Sequence, residues 1–220
     1  MCYNEAPTLQ AVVEKCLQAM KTAALDFEIL IVNDGSRDGS DKIADRLASE
    51  NPAVRVIHHR TNQGIGCVLY SAYQGATKKW ISIVPSDLEF SPEELLAAVP
   101  YLLKDVPVVF YLTAAPRLHR RAVSFMQKLL NGILFRVWIR RTNWVKALPV
   151  AVVQKLPLVS RSPVLETEVL IRLKRAGVKW QELPSKNIVV RVRTGGMGKS
   201  GLIKAIFASF WESIKLWRIL

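Results

Sequence analysis

Trp80-Ile-Ser-Ile-Val-Pro-Ser-Asp-Leu-Glu-Phe-Ser-Pro92 is the stretch on which the fold turns. Trp80–Val84 is mostly apolar, β-branched at Ile81, Ile83 and Val84, and closed by Pro85, the pattern of a short buried strand. Two carboxylates follow, Asp87 and Glu89. Ser91-Pro92-Glu93-Glu94 then reads as a helix start, with Ser91 as N-cap, Pro92 in the first helical position and Glu94 as the returning arm of a capping box. Carboxylates at the carboxyl end of a buried strand, ahead of a helix, lie where open α/β sheets take their ligands. The plainer alternative is an acidic turn that only solubilises a loop.

The flanking sequence repeats this strand-then-helix rhythm. Leu9, Val12, Val13, Cys16, Leu17 and Met20 recur at helical spacing after a start near Thr8. Glu28–Val32 reads as a buried strand ending in the polar turn 33–40, and a helix follows over about 41–50. Val54–His58 is a further strand, Thr61–Gly66 a loop, and Cys67–Thr77 a helix. Downstream, a helix over Pro92 to about Leu103 leads to a strand at Val106–Thr113. Alternating strands and helices with short connections imply a parallel sheet covered on both faces, so residues 1–115 form a Rossmann-like α/β half.

The second half is less regular. Arg117–Trp138 reads as a basic amphipathic helix, Glu166–Ala176 as a shorter helix, and Lys179–Leu183 as a strand. A further strand is expected at Ile188–Arg193, then a basic loop over 194–200. Residues 202–220 place Ile203, Ile206, Phe207, Phe210, Ile214 and Trp217 at helical spacing. That helix either packs as core or lies in a membrane interface, since Lys204, Lys215 and Arg218 flank its aromatic bulk.

Composition narrows the function classes. The 220 residues suit one domain, or one with an appendage, and the net charge is +13. Residues 1–105 carry 10 Lys/Arg against 14 Asp/Glu, whereas residues 106–220 carry 21 against 4. The basic half calls for a polyanionic partner: nucleic acid, an anionic membrane surface or a phosphorylated substrate. Cys2, Cys16 and Cys67 show neither CxxC spacing nor even pairing, which points to a reducing compartment and away from structural zinc. No apolar run is long enough to span a bilayer and no signal peptide is evident, so the expected location is cytoplasmic, at a membrane face. Two phosphate-binding patterns are incomplete. Gly198-Lys199-Ser200 has Arg193 where a P-loop needs its first glycine, and Gly64-Ile65-Gly66 has Leu69 where a dinucleotide fingerprint needs its third.

Four short stretches in fixed order do carry a likeness: Tyr3-Asn4-Glu5, Val32–Asp38, Asn62–Gly66 with Gly75 beyond it, and Asp87–Pro92. Together they resemble the family 2 glycosyltransferases of the GT-A fold, in particular the dolichyl- and polyprenyl-phosphate sugar transferases. Weaker matches run on through Arg120–Ser124, Glu168, Glu182-Leu183-Pro184 and Arg193–Ser200. The resemblance implies a GT-A sheet, mainly parallel, lacking the family's first strand. Pro85 stands where the family has the first aspartate of its Asp-x-Asp motif, and Asn33 replaces the first aspartate of its turn.

The implied activity is inverting, metal-assisted transfer of a sugar, hexosyltransferase in type, from a nucleotide-sugar donor to a polyprenyl or dolichyl phosphate or a related membrane acceptor. Tyr3, Glu5 and Asp34 would line the nucleotide pocket, the plainer alternative for Asp34 being a cap on the helix after its turn. Asp87 would be the metal ligand and catalytic carboxylate. Glu89 would be the second ligand, since a two-residue offset returns it to the same side of an extended segment. Hard oxygen donors suit Mg²⁺ or Mn²⁺. Arg117, Arg120, Arg193 and Lys199 would hold the acceptor phosphate, Arg120 with a catalytic part, because guanidinium grips phosphate with a planar fork. The alternative for each is a solvated basic face. The chain then divides into a nucleotide-sugar half (1–115), a basic acceptor half (116–201) and the final helix (202–220). Two rival classes remain: a catalytically degenerate binding or scaffold module, and a basic nucleic-acid binder suggested by charge alone.

Overall fold

The computed structural model describes residues 1–86, 90–113, 118–136, 138, 145–185 and 210–220. Its order is α1 (Ala6–Ala23), β1 (Ile29–Asn33), α2 (Ser40–Glu50), β2 (Val54–His58), α3 (Ile65–Gly75), β3 (Trp80–Ser82), a 3-10 helix (Pro92–Ala98) running into α4 (Val99–Leu102), β4 (Val108–Leu112), α5 (Leu118–Phe135), β5 (Lys146–Pro149), α6 (Val150–Val153), α7 (Leu165–Arg175) and β6 (Gln181–Ser185). Residues 210–219 are helical.

The strands form two sheets. β1 and β2 pair in parallel, with Ile29 opposite Val54 and Asn33 opposite His58. The second sheet runs β3-β5-β4-β6, parallel only between β4 and β6. β5 is antiparallel to both of its neighbours, so the sheet is mixed where the sequence suggested a mainly parallel one. Lys-Ala-Leu-Pro carries little strand signal, and Pro149 is accommodated at the terminal position opposite Trp80, where no ladder N–H is required.

Two helix starts differ from expectation. α1 begins at Ala6, ahead of Thr8, with Pro7 in its first turn; the Thr8 hydroxyl donates to the Glu5 carboxylate at 3.0 Å. At Pro92 the chain takes 3-10 form, and Ser91 makes no capping bond. The Ser91 hydroxyl donates to Glu93 instead of completing a box with Glu94. Glu94 reaches Ser91 only through its backbone N–H, at 3.0 Å.

Packing follows the apolar periodicities. Leu9 and Val13 of α1 meet Cys2, Ile31, Leu47 and Val54. A larger cluster joins Leu69, Tyr73, Phe135 and Leu148 to Leu165, Val169, Leu170 and Leu173 of α7. Phe90 and Phe110 stack edge to face at 5.7 Å beneath the 3-10 helix. In the described part of the last helix Leu216 is buried in the larger cluster, as the core reading expects, while Trp211, Trp217 and Ile219 are exposed. Phe125, Leu129 and Ile133 form a second exposed apolar stripe along α5. Among the described residues no helix is long and apolar enough to cross a membrane.

Candidate functional site

The carboxyl ends of β1 and β2 present three polar loops, residues 2–6, 33–40 and 59–64, tied together by side chain-to-backbone bonds. Cys2 makes a parallel bridge with Asn33, donating its N–H to Val32 O and accepting from Asp34 N–H, both at 2.9 Å. Asn4 adopts a left-handed φ of 53°, a conformation Asn tolerates better than most residues. It receives the Arg37 N–H on its Oδ1 at 2.9 Å and donates its own N–H to Ser36 Oγ at 3.0 Å. The Glu5 N–H goes to Ser40 Oγ and the Ala6 N–H to Asp38 Oδ2, each at 3.0 Å. Burial alone would raise the Asp38 pKa, but the hydrogen bonds from the Ser40 hydroxyl and from the Ala6 and Ser40 N–H groups outweigh it and hold the carboxyl below its ordinary range.

Asp34 is the centre of this assembly and is buried. Its Oδ1 lies 2.7 Å from His59 Nδ1 and accepts the Gln63 N–H at 3.0 Å; its Oδ2 accepts the Gly64 N–H at 2.9 Å. A carboxylate offers about four acceptor directions, so protein donors take most of them. His59 Nε2 is 2.8 Å from Ser71 Oγ on α3. Because a carboxylate only accepts, the neutral ring carries its proton on Nδ1 and receives the Ser71 hydroxyl on Nε2. One Asp–His–Ser line thus runs from the end of β1 past β2 to α3. Two glycines make it possible. Gly64 has a φ of +86°, and a Cβ on Gly35 would sit 2.6 Å from the Thr61 carbonyl carbon.

A second buried carboxylate supports α3 from behind. Glu168 has no exposed surface; it accepts the Val159 N–H at 3.0 Å, the Ser160 N–H at 2.8 Å and Arg172 Nε at 2.7 Å. The loop so held presses its backbone on Gly66, where a Cβ would lie 2.1 Å from the Arg161 carbonyl carbon. The Arg161 guanidinium covers the Tyr70 ring at 3.7 Å. Nearby, Lys146 is buried with Nζ 3.1 Å from Glu166 Oε1. Burial lowers its pKa, and the Glu166 charge only partly opposes that.

The structure brings Tyr3, Glu5 and Asp34 to one end of β1, with Tyr3 half exposed and Glu5 turned toward Thr8. Asp87 and Glu89 lie outside the described residues, as do Arg117, Arg193 and Lys199. The backbone of Arg120 falls in the first turn of α5, and its side chain lies outside the described set. Among the described residues no group of three His, Cys, Asp or Glu side chains is placed to hold a metal. His59, Ser71, Ser40 and the Lys146–Glu166 pair were not singled out in the sequence; each acts through a partner distant along the chain.

The model for "Glycosyl transferase family 2" matches residues 1–143. The chain belongs to that family. Among curated relatives, this family 2 chain is 30% identical over 143 residues to the undecaprenyl-phosphate 4-deoxy-4-formamido-L-arabinose transferase of Pectobacterium carotovorum, covering 64% of this chain and 42% of that protein. The protein of the same name in Pseudomonas fluorescens (strain SBW25) is 28% identical over 134 residues, covering 59% and 38%. The chain thus spans about two fifths of the length of these relatives. Among solved structures, glucosyl-3-phosphoglycerate synthase from Mycobacterium tuberculosis, in complex with Mn²⁺, UDP and glucosyl-3-phosphoglycerate, superposes with a TM-score of 0.69 at 17% identity, over 96% of this chain and 77% of that one. The same enzyme with Mg²⁺ and UDP gives 0.63 at 15% identity, over 96% and 76%. At that identity the likeness establishes the GT-A fold, with the mixed sheet described above.

Proposed function

We propose that this family 2 domain transfers a sugar, with inversion, from a nucleotide-sugar donor to a polyprenyl phosphate or related lipid-phosphate acceptor at the cytoplasmic face of a membrane. The observation that carries the proposal is the Asp34-centred junction. It fixes three loops at the carboxyl ends of β1 and β2, where open α/β sheets bind nucleotides. Tyr3 would cover the base, with Glu5 and Asp34 on the polar side of the pocket. The relatives' names specify undecaprenyl phosphate, and the fold neighbours contain UDP with Mn²⁺ or Mg²⁺.

Asp87 and Glu89 follow β3 closely, and their oxygen donors suit Mg²⁺ or Mn²⁺. Such an ion supplies charge neutralisation for the departing nucleoside phosphate. An ionised lipid phosphate is already nucleophilic, so it needs holding more than deprotonation; Arg117, Arg120, Arg193 and Lys199 are the cations proposed for that task. Membrane contact is supported by the exposed stripe Phe125, Leu129 and Ile133 and by exposed Trp211, Trp217 and Ile219, all within the basic half of the chain.

Incubation with a nucleotide-sugar panel and polyprenyl phosphate, with and without Mn²⁺, tests the proposal. Metal-dependent glycolipid formation is expected. Absence of turnover with every donor, together with no donor binding by calorimetry, would leave the degenerate binding module as the better reading. Pro85 in the first carboxylate's place is the observation that favours that second reading.

A further inference from the structure

β2 ends at His58 and His59 follows directly, and neighbouring side chains of an extended segment leave on opposite faces. The partners show which way each ring goes. His58 turns toward α2, with Nε2 2.9 Å from Asp45 Oδ1, and His59 toward α3, with Nε2 2.8 Å from Ser71 Oγ. Each ring gives its other nitrogen to the end of β1: His58 Nδ1 lies 3.0 Å from Asn33 Nδ2, and His59 Nδ1 lies 2.7 Å from Asp34 Oδ1.

These contacts fix where the protons are. Asn33 is buried and its Oδ1 accepts the Ser36 N–H at 3.3 Å, which leaves its amide N–H to donate to His58. The neutral His58 ring therefore accepts on Nδ1 and carries its proton on Nε2, facing the Asp45 carboxylate. His59 is the reverse, with its proton on Nδ1 and the Ser71 hydroxyl received on Nε2. Two consecutive histidines thus sit in opposite tautomers, each specified by one carboxylate. Beyond the rings the two lines reach different walls of the site. Ser36, held by Asn33, accepts the Asn4 N–H on its Oγ at 3.0 Å, and Asn4 Oδ1 accepts the Arg37 N–H at 2.9 Å, which fixes the loop that carries Tyr3. Asp34, held by His59, fixes the loop 59–64 through the Gln63 and Gly64 N–H groups. A buried imidazole costs more to desolvate than an apolar side chain of its volume; what it adds is direction, one donor and one acceptor in fixed places.

We propose that His58 and His59 are positioning residues of the nucleotide site, held in opposite tautomers so that His58 braces the Tyr3 wall from α2 and His59 braces the 59–64 wall from α3. The role rests on the transferase reading and names residues that act through Asn33 and Asp34 without touching the ligand. Asp45 and Ser71 are the outer anchors of the two lines. The His59 line is buried, whereas His58 and Asp45 are partly open to water, so the first carries the larger effect.

The test uses the full chain and two readouts. Two-bond proton–nitrogen spectra of the labelled protein at about pH 8, above the ordinary imidazole range, are expected to show His58 protonated at Nε2 and His59 at Nδ1. Asn33→Asp combined with Asp45→Asn exchanges donor and acceptor at both ends of the His58 line and is expected to move that proton to Nδ1. Calorimetry with UDP, GDP and dTDP gives the second readout. Affinity for whichever of these the parent binds is expected to fall about tenfold in His59→Gln, whose amide reaches Ser71 in place of Asp34. It is expected to stay within about twofold in His59→Asn, whose amide takes the place of Nδ1. His58→Ala is expected to lose about threefold, and the combined Asn33→Asp and Asp45→Asn variant to retain parental affinity. The same tautomer in both rings, an unmoved His58 proton in the combined variant, or equal losses in His59→Asn and His59→Gln overturns the proposal. So does a fall in Tm in His58→Ala and His59→Gln with affinity intact, the mark of a brace that serves folding alone. A parent that binds none of these nucleotides overturns the transferase reading together with this role, whereas a parent and variants that bind equally overturn this role alone.

Discussion

Replacing Asp34 with Ala removes the single acceptor shared by His59, Gln63 N–H and Gly64 N–H. Each donor is tied to a buried carboxylate, so each stands to lose a charge-assisted bond of about 1.5–3 kcal/mol. Water entering the emptied site restores part of that for the loop amides, which places the expected loss of stability at about 3–5 kcal/mol. Asp34→Asn keeps one acceptor oxygen but turns an NH₂ toward one of the donors, for an expected loss of about 1–3 kcal/mol. Urea unfolding with a common m-value reads both. A double-mutant cycle with His59→Ala isolates the direct pair, with an expected coupling of about 1–3 kcal/mol. If the proposed function holds, nucleotide binding should fall in both single variants, because residues 59–64 lose their anchor. Should Asp34→Ala unfold within about 0.5 kcal/mol of the parent and show no coupling to His59, the junction does not organise the loops as described.

Other expectations follow from the same geometry. Glu168→Ala strands Val159 N–H, Ser160 N–H and Arg172 in a buried site, for an expected loss of about 3–5 kcal/mol by denaturant titration; Glu168→Gln should cost less. For Glu28, burial opposes ionisation, but bonds from Thr77 and Arg55 prevail and lower its pKa. A carboxyl depressed on folding stabilises above its unfolded value of about 4.3 and loses that contribution as pH falls through the folded value. Thermal scans below about pH 4.3 should therefore show a shallower decline of Tm in Glu28→Gln than in the parent. Phe125→Ser with Ile133→Ser should reduce co-sedimentation with anionic vesicles, with little change in Tm because both side chains are exposed; unchanged sedimentation would remove α5 from the membrane face.

Much of the first half was legible because its signals are local. The strand at 28–32 and the polar turn after it are neighbours in sequence, and Tyr3-Asn4-Glu5 directly follows the Cys2–Asn33 bridge. The role of Asp34 was less accessible. Its partners His59, Gln63 and Gly64 are brought to it only when β2 pairs with β1. β5 was missed because its strand character comes from burial between β3 and β4, which overrides the weak propensity of Lys-Ala-Leu-Pro. At Ser91 the local rule itself failed: the 3-10 path lets Glu93 take the hydroxyl before Glu94 can complete a box. Asp87 and Glu89 follow Ser86 in sequence and lie outside the described residues.

The bracing of Gly66 by the loop that Glu168 holds also bears on the order of assembly during synthesis. These residues lie roughly 100 positions apart, an interval of ~5–20 s at translation rates of ~5–20 residues per second. Through that interval the nascent chain has the sequence of β1, α2, β2 and α3, but nothing to back the first turn of α3. The start of α3, and the loop 59–64 that leads into it, therefore gain this support only after α7 has emerged, although they are encoded early. Bracing of α3 is in this sense a C-terminal event, and a ribosome pause before Glu168 would leave its first turn without that backing for longer.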